Sequence, residues 1–163
     1  ILQLTKLLVP TVFGLAAQTV LKRAESLHPD VILCVGQAGG RCSITCEVAA
    51  LNLRDAGIAD NAGNMPQNEP VVPEGENAYF ATVPVRRMME AVRKRDIPCT
   101  LSYSAGVYVC NDLLYTLLHH YRCGAAQVGF IHVPYLPCQA GGAAASLPLD
   151  VIVQALHAAV EAL

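Results

Sequence analysis

The stretch 102–111 (SYSAGVYVCN) runs a strand pattern through a Ser-Ala-Gly bend into a helix and sets Cys110 in the first helical turn. The free amide N–H groups and positive dipole end of a helix N-terminus favour a thiolate, and the same N–H groups can bind the oxyanion of a tetrahedral intermediate. Cys110 is therefore a candidate nucleophile. Without that role it is one more small apolar side chain, the reading that suits most of the other six cysteines.

A nucleophile of this kind needs a base and a group to orient the base. His132 lies at the end of the strand pattern 128–133 (VGFIHV), before Pro134, in the region where open α/β sheets place their sites. His119 and His120 fall late in a helix, where a cation complements the dipole, and His28 and His157 lie on surface stretches. Glu47 is a single carboxylate in apolar company within 44–53 (ITCEVAALNL). Burial raises a carboxyl pKa unless a partner holds the charge, so a basic partner such as an imidazole is expected. A thiolate, an imidazole and a carboxylate dispersed along the chain could make a triad. By residue type alone, seven cysteines and five histidines offer many such triples.

Positioning these groups requires strands and helices in alternation, and the sequence carries both patterns. Strands are expected at 31–35 (VILCV), 100–103 and 128–133, buried on both faces as in a mainly parallel sheet. Helices are expected over 11–26, over 85–95 behind Pro84, over 107–121, and over 149–162 behind the start signals Ser146 and Pro148. The segment 44–53 suits either a helix or a strand. The Asn-, Gly- and Pro-rich stretch 61–75 is too long for an ordinary connection and reads as a packed functional loop, whereas 141–146 (GGAAAS) reads as a flexible turn. The expected fold is α/β, a three-layer α/β/α arrangement around a mainly parallel, twisted mixed sheet.

Composition narrows the function. With 53% hydrophobic residues the 163-residue chain can close one core, so residues 1–163 are read as one domain. Eleven basic against thirteen acidic residues give a net charge of −2 without charge blocks, which argues against a nucleic-acid partner or an anionic membrane surface. No apolar stretch is long enough to span a bilayer, and 1–10 lacks the pattern of a signal peptide. An odd number of cysteines, with no Cys-x-x-Cys, fits a reduced, cytoplasmic setting without a structural metal.

Several motifs stand together in order: GQAGGR at 36–41 with ITCE and AALN behind it, DNAGNMP at 60–66, AYFATVPV at 78–85, SYSAGVYVCN at 102–111 and GFIHVPYLP at 129–137. Collinear over nearly the whole chain, this set resembles the pyroglutamyl peptidase I (pyrrolidone carboxyl peptidase) family of cysteine peptidases. The resemblance implies Cys110 as nucleophile, His132 as general base and acid, and Glu47 as third member. It implies hydrolysis of the bond after an N-terminal pyroglutamyl residue through an acyl-enzyme, with no cofactor and no metal. It further implies lactam recognition by backbone at Gln37 and by Tyr108 and Val109, and a homo-oligomer, often a tetramer.

Two departures from the family pattern bear on activity. The family opens with a strand and a Gly/Phe-rich loop resembling G-F-x-P-F-x-G, and this sequence begins beyond it, at 7–13 (LLVPTVF), which resembles the second strand. A pocket wall would then be missing and apolar faces exposed. The family also carries an Arg ten residues after the Glu, in a stretch resembling D-A-R-I-P-D-N, where 55–61 here is DAGIADN with Gly57. Losing one such contact costs about 3 kcal/mol of transition-state stabilisation. Arg54 stands three residues earlier. These departures motivate the competing expectation of an impaired or inactive relative, or a fragment, acting through self-association or partner binding. A nucleotide site at 36–41 is disfavoured, because GQAGGR has neither a P-loop ending nor G-x-G-x-x-G spacing.

Overall fold

The apolar runs bounded by Gly and Pro, and the four-residue apolar steps between them, resolve into six strands and four helices. The computed structural model describes residues 3–141 and 145–163. In chain order the elements are α1 (Leu15–Leu27), β1 (Val31–Gln37), β2 (Ile44–Glu47), β3 (Ala49–Leu51), β4 (Ala78–Phe80), α2 (Val85–Arg93), β5 (Cys99–Ser102), α3 (Val109–His120), β6 (Gln127–Val133) and α4 (Leu149–Glu161).

Four strands form the main sheet in the order β1-β6-β2-β5. The pairs β1/β6 and β2/β5 are parallel and β2/β6 is antiparallel. The ambiguous segment 44–53 is extended and supplies two strands. Val48 breaks it, accepting from Ala81 N at 2.9 Å while its own amide bonds Ser102 O at 2.7 Å. Beyond that break β3 leaves the main sheet and pairs with β4. One expectation needs correction: β1 is not buried on both faces. It pairs with β6 alone among the described strands, and Val35 is 49% exposed.

Strand alternation sorts the core into two layers. Val128 and Phe130 of β6, with Ile32 and Cys34 of β1, pack against α1 and α3. Ile131, with Ile44, Cys46, Val31 and Leu33, packs on the other face against α2 and α4. The architecture is thus α/β/α. Leu114, Tyr115 and Leu117 of α3 are wholly buried, and truncating such a leucine to Ala costs about 2–5 kcal/mol. On the opposite side Ala155, Ala158 and Ala159 of α4 pack in one cluster with Met88 and Val92 of α2.

Several boundaries differ from expectation for local reasons. The segment 7–13 forms no strand, because its backbone groups are taken by the 60–64 loop: Phe13 N donates to Asp60 Oδ2 at 2.9 Å and Asn61 N to Thr11 O at 3.1 Å. Helix α1 therefore starts at Leu15 instead of residue 11, behind Gly14, whose amide donates to Asp112 Oδ2 at 2.8 Å. Helix α3 starts at Val109 instead of 107, since Val107 O is held by Asp55 N at 3.1 Å. Ser146 does not cap α4; it forms a bridge with Tyr135. The expected turn 141–146 falls partly on 142–144, outside the described residues.

The 61–75 loop is packed, as expected of so long a connection. Arg54 and Glu69 exchange two backbone hydrogen bonds, at 2.7 and 3.0 Å. The Asn52 side chain accepts from Val72 N at 2.9 Å and donates to Val72 O and Gly75 O at 2.8 and 3.1 Å. Among the described residues, no helix is long and apolar enough to cross a membrane.

Candidate active site

The same alternation that sorts the core gathers the candidate residues. His132 shares its face of β6 with Phe130, the two rings lying 4.6 Å apart, and that is the face covered by α3. Glu47 follows Thr45 on β2, and Gly36 follows Cys34 on β1. Strand register pairs His132 with Gly36 on one side and with Thr45 on the other. Above this row stands the N-terminus of α3, with Cys110 as its second residue. The sulfur sits over Gly36, so closely that a Cβ at that position would lie 3.1 Å from it.

Glu47 and His132 are bonded directly. His132 Nδ1 donates to Glu47 Oε1 at 2.7 Å, both side chains being almost wholly buried. Because the carboxylate occupies Nδ1, Nε2 is the ring nitrogen left to take a proton. A second donor reaches the same oxygen: Arg41 Nη1 lies 2.6 Å from Oε1 and also donates to Thr45 Oγ1. Burial by itself raises the Glu47 carboxyl. The His132 hydrogen bond, the nearby Ser102 hydroxyl and the charges of His132 and Arg41 outweigh it and hold the group below its ordinary value. Ser102 directs its proton to Ser104 O at 3.0 Å, and Glu47 Oε2 has no hydrogen-bond partner among the described residues.

The thiol differs from the sequence expectation. Cys110 does fall in the first turn of α3, but burial pushes its pKa up to about 11, with the Glu47 charge adding to the rise and Arg41 opposing it. That direction favours the neutral thiol, so a nucleophile here would need a base to take its proton.

Gln37, Tyr108 and Val109 border this arrangement in different ways. Gln37 ends β1 opposite Val133 of β6, and its side chain donates to Gln139 Oε1 at 2.7 Å. Tyr108 precedes α3. Its hydroxyl donates to Ala59 O at 3.0 Å and its ring meets Phe13 edge-on at 5.3 Å. Val109 is 3% exposed, with its side chain in the core. The amides at the start of α3 have no intrahelical acceptor and point out of the helix end.

Arg54 does not stand in for the residue replaced by Gly57. It is bound to buried Asp112, with Nη2 and Nε each 2.6 Å from Oδ1. Two important residues went unnoticed in the sequence. Arg41 is the first; the demand of a buried Glu47 for a cation, with Arg41 six residues before it, was the available signal. Asn111 is the second. It accepts from Leu51 N at 2.8 Å and donates to Leu51 O and Leu53 O at 2.9 and 3.0 Å, tying the turn that carries Cys110 to β3. No three His, Cys, Asp or Glu side chains among the described residues converge as metal ligands would.

Comparison with known proteins gives a consistent result. The family described as pyroglutamyl peptidase matches residues 2–163. A pyrrolidone-carboxylate peptidase of Vibrio vulnificus is 46% identical over 150 residues, 91% of this chain and 71% of the relative. One from Chromobacterium violaceum is 47% identical over 156 residues, 94% and 73% of the two chains. Among solved structures, pyroglutamyl peptidase I from Bacillus amyloliquefaciens superposes with a TM-score of 0.91 at 43% identity, covering 94% of this chain and 75% of that one. The pyrrolidone carboxyl peptidase of Pyrococcus furiosus gives 0.89 at 38% identity, covering 94% and 77%.

Proposed function

This chain belongs to the pyroglutamyl peptidase family, and from that membership we propose that it is a cysteine exopeptidase that removes an N-terminal pyroglutamyl residue from peptides. The observation that carries the proposal is the bond from His132 Nδ1 to Glu47 Oε1 at 2.7 Å, on the sheet face that Cys110 overlies. Residues 1–163 act in this reading as one peptidase domain.

The reaction starts from a neutral thiol. His132 Nε2 takes the Cys110 proton as the sulfur attacks the pyroglutamyl carbonyl carbon, and Glu47 stabilises the imidazolium that forms. The carbonyl oxygen gains charge beneath the free amides at the start of α3. Collapse of the tetrahedral species breaks the C–N bond, and the imidazolium gives its proton to the departing amine. Water then attacks the thioester, with His132 again accepting a proton; the C–S bond breaks, the imidazolium returns its proton to the Cys110 sulfur, and pyroglutamate leaves. Backbone at Gln37 and Val109 pairs with the lactam N–H and C=O, and Tyr108 packs beside the ring. An uncharged lactam suits a site where main-chain polar groups supply the recognition.

The partners in this reading are peptides or proteins with an N-terminal pyroglutamate, the setting is cytoplasmic, and the protein associates as a homotetramer. The test is hydrolysis of a chromogenic pyroglutamyl amide by the wild-type chain and by Cys110→Ala. Turnover is expected from the first and none from the second. Activity surviving in Cys110→Ala overturns the assigned nucleophile, and absence of turnover in the wild type favours a non-catalytic relative.

A further inference from the structure

We infer that Arg41 is a positioning residue for this site: by sharing Glu47 Oε1 with His132, its guanidinium locks the carboxylate in the rotamer that fixes the imidazole ring. The inference rests on the peptidase reading above.

Glu47 is fully buried, yet its hydrogen bonds are lopsided. Oε1 receives His132 Nδ1 at 2.7 Å and Arg41 Nη1 at 2.6 Å, while Oε2 receives nothing among the described residues. With His132 as its only partner, such a carboxylate could turn about its terminal bond and exchange oxygens, carrying the ring with it. A second donor converging on the same oxygen removes that freedom, because any turn breaks two charge-assisted bonds at once.

Arg41 has a second hold on the same strand. Its Nη1 also donates to Thr45 Oγ1, and Thr45 is the register partner of His132. The preceding loop is shaped to deliver it. Gly40 has φ +84°, a left-handed turn that L side chains rarely adopt, and the Tyr135 ring lies so close over Gly39 that a Cβ there would run into it. Since Tyr135 follows His132 by three residues, the segment just beyond the strand that carries the base also pins the loop that carries the guanidinium. The glycines of GQAGGR therefore serve Arg41 as much as any ligand.

The guanidinium also balances charge around the sulfur. The groups bearing on the Cys110 charge are Glu47 on β2, Arg41 from the loop and Cys34 on β1, while His132 on β6 is bonded to Glu47. Glu47 disfavours the thiolate and Arg41 favours it, so removing Arg41 leaves the carboxylate unopposed. No replacement is at hand, since Arg54 is bound to Asp112 and position 57 is Gly.

The test uses the whole chain with Arg41→Met and Arg41→Lys, read by hydrolysis of a chromogenic pyroglutamyl amide and by iodoacetamide alkylation of Cys110, followed by peptide mass spectrometry. For Arg41→Met, kcat is expected to fall about 10- to 100-fold, with KM changed by less than about threefold. Its alkylation midpoint should move to higher pH, and Arg41→Lys should recover part of both. The inference is overturned if Arg41→Met keeps the wild-type kcat and midpoint, or if both variants lose kcat equally with unshifted midpoints, which marks a merely structural role. Should Arg41→Met fail to fold, Arg41→Lys decides: an intermediate kcat with a smaller midpoint shift supports the inference, and wild-type values of both overturn it. A wild type without turnover whose midpoint still shifts in Arg41→Met would remove the peptidase reading and leave the charge-balancing contact in place.

Discussion

A methyl group on Gly36 would stand 3.1 Å from the Cys110 sulfur and 2.8 Å from the Phe130 ring. Gly36 is the register partner of His132, so the missing side chain is the space in which sulfur and imidazole share one sheet face. Gly36→Ala should destabilise the fold by about 1–3 kcal/mol through overpacking. Turnover should fall by more than that loss explains, because relief displaces the Cys110 sulfur or the Phe130 ring that packs against His132. Urea melts alongside steady-state rates check this; a rate equal to wild type in a destabilised but folded variant would refute it.

Asn111 makes the turn after the nucleophile rigid. Replacing it with Ala leaves Leu51 N, Leu51 O and Leu53 O without their partners, at a cost of about 2–4 kcal/mol. Asn111→Asp should do no better, since it keeps the acceptor but turns a buried charge toward two carbonyl oxygens. Equilibrium denaturation of both variants gives the answer, and an Asp variant as stable as wild type would contradict the assignment.

Much of this site was legible in the order of residues, and the reasons differ from one to the next. Cys110 could be placed because a Ser-Ala-Gly bend before an apolar helical pattern marks a helix start. A buried Glu47 called for a basic partner, but it was the resemblance in motif order that picked His132 from five histidines. Arg41 was not legible, since its reach depends on the left-handed turn at Gly40 and on Tyr135, which lies far along the chain. Nor was the Cys110 pKa, because a helix start is a local feature whereas burial under α3 is set by packing. The family resemblance matched LLVPTVF to a strand, but strands are made by their neighbours, and here the 60–64 loop takes the backbone groups. For the same reason VILCV could be recognised as a strand but not as an edge.

Asp60 accepts backbone hydrogens from Phe13 at 2.9 Å, Ala62 at 2.9 Å and Asn64 at 2.8 Å, and so joins the segment before α1 to the loop under Tyr108. Burial works against its charge, but the Asn64 side chain and these amides prevail and lower its pKa from 3.8 to about 2. A folded pKa below the unfolded one contributes stability that is present above the unfolded value and lost as pH falls through the folded value. Wild type should therefore lose melting temperature from roughly pH 4 to pH 2. Asp60→Asn should melt lower at neutral pH and lose less across that window. Thermal melts in a pH series compare the two, and parallel curves would rule out the role given to Asp60.

Glu47→Gln separates orientation from charge at the thiol. The amide can still accept from His132 Nδ1, but it no longer stabilises an imidazolium, and kcat should fall by about 10² to 10⁴. The thiol should respond in the opposite sense. The Glu47 charge is one cause of the rise to about 11, and without it the Arg41 charge acts alone. Cys110 in the variant should then be alkylated faster than in wild type at any pH below its titration. Faster labelling together with slower turnover is the expected signature, and since general loosening of the site would also speed labelling, the labelling midpoint separates the two. Measuring the labelling rate against pH resolves the two: a midpoint displaced to lower pH supports the electrostatic account, whereas a faster rate with an unmoved midpoint assigns the change to access and sinks it.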